Sequence, residues 1–180
     1  REEILIVALH LFARDGYEAV SVSQIAGELD MTKGALYRHY KSKRDIFDSI
    51  VKRMEQQDGE QASDYDMPED EKESMPEEYK DVSLDDFVEY SKSMFEYDFA
   101  SSFRKMLTIE QFRSEEMQNL YQQYLVSGPA EYVKELFKNM KMNHPEENAV
   151  KFYANMFFYY SLYDGAANKT KAKSQFEQML

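Results

Sequence analysis

Residues 21–43, SVSQIAGELDMTKGALYRHYKSK, constrain the chain most, because helix starts follow one another through them. Ser21 with Gln24 forms a Ser-x-x-Gln capping box, which satisfies orphan N–H groups at a helix start. Ile25, Ala26 and Leu29 give that helix a buried face. Asp30 and Met31 then turn the chain, Thr32 caps a second helix over Lys33–Tyr40, and Ser42 with Asp45 starts a third. In the second helix Leu36 points inward and Tyr40 joins the core. Lys33, Gly34, Ala35, Tyr37 and Arg38 are left facing outward. A short helix, a tight turn and a second helix with small, basic and aromatic residues at its start make a helix-turn-helix. In that motif the second helix enters the DNA major groove and its first residues meet base edges.

Three amphipathic helices in an ordinary bundle would account for Ile25, Leu29 and Leu36. Such a bundle gives no reason for basic and hydroxyl residues to gather at successive helix starts, where backbone N–H groups already favour phosphate. Upstream, Glu2–Arg14 reads as one helix with Ile4, Leu5, Val7, Ala8, Leu11 and Phe12 as its stripe. Gly16 is its C-cap, Tyr17 packs behind it, and His10 lies at the surface.

Taken with the preceding IVALHLFARDGYEAVSVSQIA, the run KGALYRHYKSKRDIF closely resembles the DNA-binding domain of TetR-family transcriptional regulators. The matching positions are Ala8, Leu11, Phe12, Gly16, Tyr17, Ser21, Ile25, Ala26, Lys33, Gly34, Leu36, Tyr37, His39, Tyr40, Lys43 and Phe47. Asp30 departs from the family's usual turn glycine, and Asp tolerates a left-handed backbone better than most residues. The expected DNA-binding set is Ser21, Ser23, Thr32, Lys33, Gly34, Ala35, Tyr37, Arg38, His39 and Lys43. The resemblance implies phosphate contacts for Tyr37 and Lys43. His39 is open between a DNA contact and a role in holding the helices together. The resemblance also implies a homodimer on an inverted-repeat operator of double-stranded DNA, and a repressor released by a small-molecule effector. The alternative keeps the fold but replaces the small molecule with a protein partner docking on an acidic segment.

A net charge of −12 argues against nucleic acid until its distribution is read. Residues 31–54 hold seven basic and two acidic side chains, whereas residues 55–81 hold two basic and twelve acidic ones. A local basic face is what phosphate contact needs, and the acidic remainder repels DNA elsewhere. No apolar run is long enough to span a membrane and no signal-peptide pattern is visible, so a cytoplasmic protein without membrane contact is expected. Cysteine is absent, and His10, His39 and His144 lack metal-ligand spacing, so neither metal nor cofactor is expected. Glu-x-x-His pairs, nucleophile–base pairs and phosphate-cradling glycine loops are also missing, and an enzyme is not expected. The chain opens at Arg1 without a methionine, so an N-terminal arm can precede it.

The expected organisation is all-α. A helix-turn-helix domain spans residues 1–42, a connecting helix 43–57, a solvated acidic connector 58–81, and a helical effector-binding and dimerisation domain 82–180. In proteins of the resembled family the connecting helix changes tilt when ligand binds. Within 82–180, helices are expected from Ser83, over Ala100–Phe112 and Ser114–Val126, from Pro129, over Glu146–Tyr163, and from about Ala166 to Leu180. The abundance of Phe, Tyr and Met suits both a core and an adaptable apolar pocket. The expected pocket lining is Phe95, Phe99, Phe103 and Met106 with Tyr121, Tyr124, Tyr153 and Phe157. The tract 152–160 is apolar almost all round and has two sides to bury. Phe152, Met156, Tyr159, Tyr160, Tyr163 and Phe176 are therefore expected at a dimer interface.

Overall fold

The computed structural model of the chain describes residues 1–65, 67 and 83–178. Among these residues the regular structure is all helical: α1 (Glu2–Asp15), α2 (Val22–Glu28), α3 (Lys33–Tyr37), α4 (Lys43–Asp64), α5 (Leu84–Glu96), α6 (Asp98–Glu110), α7 (Glu115–Leu125), α8 (Ser127–Asn139), α9 (Pro145–Gly165) and α10 (Lys169–Glu177). None of them is long and apolar enough to cross a membrane.

The chain divides into two compact units, one of residues 1–58 with 98–120 and one of residues 59–97 with 121–180. In the first unit α1 packs on α6 as well as on α2. Two-sided packing explains why Leu9 is fully buried beside Ala8 and Phe12, although a one-sided stripe omits it. The buried face of α4 supplies Ile46, Phe47, Ile50 and Met54, and α6 supplies Phe103, Met106 and Leu107. Tyr17 stands edge-on to both Phe12 and Phe47, with ring centroids 5.1 and 5.2 Å apart, and so ties the loop after α1 to α4. The second unit has its own core, in which Phe87, Val133, Leu136, Phe137 and Ala149 are buried. Phe152 packs against that core and lies 5.0 Å from Phe87.

Helix α6 runs two residues ahead of its expected range and α10 starts at Lys169 rather than Ala166; three further boundaries depart for reasons visible in the packing. Helix α3 ends at Tyr37 rather than Tyr40, and tight bonds from Arg38 N to Ala35 O and from His39 N to Leu36 O close its last turn. Helix α4 continues to Asp64, past the expected end at Gln57. A mid-helix glycine such as Gly59 costs only ~1 kcal/mol, and burial of Ala62 works against that cost. The start of the segment expected to be a solvated connector is therefore packed helix, and Met67 is buried too. Its other residues, 66 and 68–81, lie outside the described set. Helix α8 starts at Ser127, which puts Pro129 third rather than first in a turn whose N–H groups need no helical partner.

Candidate nucleic-acid interface

The caps read from the sequence are in place. Gln24 N donates to Ser21 Oγ at 3.2 Å and Ser21 N donates to Gln24 Oε1 at 2.7 Å, completing the capping box. Ala35 N donates to Thr32 Oγ1 at 3.1 Å, and Asp45 N donates to Ser42 Oγ at 3.0 Å. Asp30 takes the left-handed conformation, φ 52°, that the turn demands. Leu36 is fully buried and Tyr40 nearly so, and these two side chains anchor α3.

Anchoring on one side turns the other outward. Ser21, Ser23, Thr32, Lys33, Gly34, Arg38 and His39 are exposed, Tyr37 is 44% exposed, and Ala35 is half-buried. The Lys33 ammonium lies 5.8 Å from the centre of the Tyr37 ring. Lys33, Arg38 and Lys41 have no carboxylate partner among the described residues, so their charge is available to an external anion. Lys43 is engaged differently: its ammonium donates to Tyr17 O at 2.7 Å and to Glu18 O at 3.3 Å, and lies 4.3 Å from the Tyr17 ring centre. It closes the loop after α1 and keeps one N–H for any phosphate.

Other basic residues of the head hold its frame. Arg44 donates to both carboxylate oxygens of Glu116 on α7, at 2.9 and 2.5 Å, and to Asp48 at 2.7 Å. Those hydrogen bonds hold the Glu116 carboxyl below its ordinary titration range and push the Arg44 guanidinium up. Arg53 pairs with Glu2 at 2.8 Å. Glu110, 2% exposed at the end of α6, accepts from Tyr17 N at 2.9 Å and pairs with Arg113 at 3.1 Å. Sequence reasoning missed Glu110, Glu116 and Arg44, because the Glu110–Tyr17 and Arg44–Glu116 contacts join residues too far apart along the chain for any local pattern.

The residues expected to line a pocket fall in both units. Phe103 and Met106 are buried and Phe99 half-buried in the first. In the second, Tyr121, Tyr124, Tyr153 and Phe157 are half-buried, Tyr153 and Phe157 have ring centroids 6.5 Å apart, and the Tyr153 hydroxyl donates to Leu125 O at 2.5 Å. The side chains of Phe95 and Phe176 lie outside the described set. Of the residues expected at a dimer interface, Met156 and Tyr159 are instead buried in the second unit's own core, with Phe152, Tyr160 and Tyr163 packed against them. The outward apolar stripe of α9 is Val150, Ala154, Phe158 and Leu162, one residue every helical turn. Among the described residues no group of three or more His, Asp or Glu side chains is placed to hold a metal ion.

This geometry agrees with the comparisons to known proteins. The family model of bacterial regulatory proteins, tetR family, matches residues 4–50. The HTH-type transcriptional regulator AcrR of Shigella flexneri is 40% identical over 65 residues, 36% of this chain and 30% of that protein. The chain thus matches less than a third of that relative's own length. Over the whole chain the likeness is one of fold. A transcriptional regulator of the TerR/AcrR family from Aquifex aeolicus superposes with a TM-score of 0.67 at 18% identity, over 99% of this chain and 95% of that one. A gamma-butyrolactone receptor superposes with a TM-score of 0.62 at 18% identity, over 100% and 96%. Residues 4–50 thus carry a capped helix-turn-helix that matches the tetR-family model of bacterial regulatory proteins, and the chain as a whole shares its fold with a transcriptional regulator of the TerR/AcrR family.

Proposed function

We propose that this protein is a repressor that binds an inverted-repeat operator as a homodimer and is released by a small molecule. The observation that carries the DNA reading is the outward face of α3. It presents Lys33 and Gly34 at its start and Tyr37 and Arg38 at its end, while Leu36 and the caps at Ser21 and Thr32 fix its orientation. Side chains held this way reach base edges and phosphates in the major groove. A two-fold pair would set two such helices about 34 Å apart, one helical turn of DNA. The exposed α9 stripe Val150, Ala154, Phe158 and Leu162 offers the dimer face, replacing the residues that the chain's own core consumes. A gamma-butyrolactone receptor among proteins of this fold supports a small-molecule effector.

Selection of bound sequences from a random double-stranded library, at near-physiological salt, tests the proposal. Enrichment of an inverted repeat is the expected result, and a folded dimer that enriches nothing would overturn it. On the selected sequence, Lys33→Ala and Tyr37→Ala should each weaken binding roughly tenfold or more while sedimentation still reports a dimer. Unchanged affinity in both variants would remove α3 from the interface.

A further inference from the structure

Tyr17, where the chain turns from α1 toward α2, is held by its backbone on two sides. Its N–H donates to Glu110 Oε1 on α6 at 2.9 Å, and its carbonyl accepts from the Lys43 ammonium, at the start of α4, at 2.7 Å. Its ring stands between Phe12 and Phe47, and the Lys43 ammonium lies 4.3 Å from the ring centre. Lys43 also donates to Glu18 O at 3.3 Å. Two of its three N–H groups are thus committed to the loop, and the position of the loop decides where the third one points. All of these groups belong to the first compact unit.

Glu110 sets that position. Glutamate is seldom buried unless it is paired, and Glu110 is 2% exposed. Its Oε1 takes the Tyr17 N–H and its Oε2 pairs with Arg113 Nε at 3.1 Å. The approach is close: a Cβ on Gly16 would lie 2.9 Å from Oε1, so glycine at φ 84° is what lets the loop backbone reach the carboxylate. A charged acceptor makes the stronger kind of hydrogen bond, and burial removes the water that would compete for it. The same loop leads into Ser21, the cap of α2.

We propose that Glu110 is a positioning residue for operator binding: by gripping the Tyr17 backbone from α6, it holds the loop against which Lys43 aims its remaining N–H at a DNA phosphate. Glu110 is buried and offers DNA no surface, so its effect passes through Lys43. The role rests on the DNA reading above and adds to it a residue outside the helix-turn-helix on which a phosphate contact depends. The grip needs an acceptor at the right reach, so length matters more than charge.

The test is the salt dependence of binding to the selected operator, with urea midpoints showing that each variant is folded at the assay temperature. Each phosphate contact contributes about 0.9 to the slope of log affinity against log salt. Lys43→Met should lower the slope by about one contact. Glu110→Met, which fills the space without an acceptor, should do the same and lose affinity several-fold. The double substitution should again lower the slope by about one contact rather than two, because both changes act on one phosphate. A purely structural loss lowers the active fraction and leaves the slope alone. Glu110→Gln keeps an acceptor at the same reach and should bind as the parent does. Glu110→Asp keeps the charge but draws it back by one bond, and should lower the slope; this pair carries the test if Glu110→Met does not fold. The role is overturned, with the DNA reading intact, by a parental slope in the folded Met and Asp variants. A two-contact loss in the double variant, or parental binding by Glu110→Asp beside a loss in Glu110→Gln, overturns it equally. An unaltered slope in Lys43→Met removes the phosphate contact and the role with it. A parent protein that enriches no sequence sinks the regulator reading and this role together.

Discussion

Gly34 sits in open space, and a Cβ added to it meets nothing within 4 Å. Nothing inside the protein asks for glycine there, so Gly34→Ala should favour α3 by up to ~1 kcal/mol. If the missing side chain exists to let backbone approach DNA, the same change weakens operator binding. A variant more resistant to urea and poorer at binding is the expected outcome, and unaltered binding would deny the close approach. Gly16 is the contrasting case: its φ is 84° and an added Cβ would lie 2.9 Å from Glu110 Oε1, so the fold itself requires it. Asp58 carries a second residue-scale prediction. Its folded-state pKa, about 7, lies above the ordinary carboxylate value, so the folded state holds its proton more tightly than the unfolded chain does. That contribution is full below a pH of about 4 and is lost as pH rises through 7, costing up to ~4 kcal/mol on the alkaline side. Asp58→Asn should therefore gain stability over the parent with rising pH, and parallel stability–pH curves in urea would refute it. Local chemistry was legible at this scale: the caps at Ser21 and Thr32 and the left-handed Asp30 depend on neighbours within a few residues. Lys43 was not, because the carbonyls it serves, Tyr17 and Glu18, lie some seven helical turns' worth of chain upstream.

Between elements, burial decides which charged contacts matter. The Arg44–Glu116 pair joins α4 to α7 with good fork geometry, but its side chains are 51% and 48% exposed. Solvent and salt screen such a pair to ~0–1 kcal/mol. Glu110 is buried, and its carboxylate is the partner of the Tyr17 N–H in the loop that sets α2 against α1. Glu110→Ala leaves that N–H unmet and empties the contact behind Gly16, so it should cost ~1–3 kcal/mol. Glu110→Gln keeps a carbonyl oxygen for Tyr17 N and should cost less. Urea midpoints of the two variants, beside Glu116→Ala as the exposed control, test the ranking, and an equal loss in all three would contradict it. Helix existence was legible from periodicity, and most starts came from capping residues. The end of α4 was not, because Gln57, Asp58, Gly59 and Gln61 read as polar and loop-prone until a neighbouring core buries them. Packing of α1 on α6 was equally hidden, since each stripe announces a buried face without saying against what.

The whole molecule turns on the same ambiguity. The tract 152–160 announced a helix with two sides to bury, yet the sequence alone could not say which side the chain keeps for itself. Met156 and Tyr159 go inward at 2% and 5% exposure, while Phe158 and Leu162 remain 53% and 46% exposed. Val150 at 64% and Ala154 extend the exposed stripe along α9. A contiguous apolar stripe over about three helical turns is costly to leave in water and suits a self-complementary two-fold contact. Burying Phe158 and Leu162 contributes ~1.5–3 kcal/mol per side chain, counted on both protomers, which is enough to decide association at micromolar concentration. Phe158→Glu with Leu162→Glu should therefore yield a folded, helical monomer by sedimentation. Met156→Glu should unfold the second unit, because it buries a charge without a partner. On the selected operator the monomeric variant should lose the gain from linking two half-sites, a factor of ~10² or more, while keeping weak half-site binding. A dimer that survives the double substitution would place the two-fold contact on another surface and leave the α9 stripe without a role.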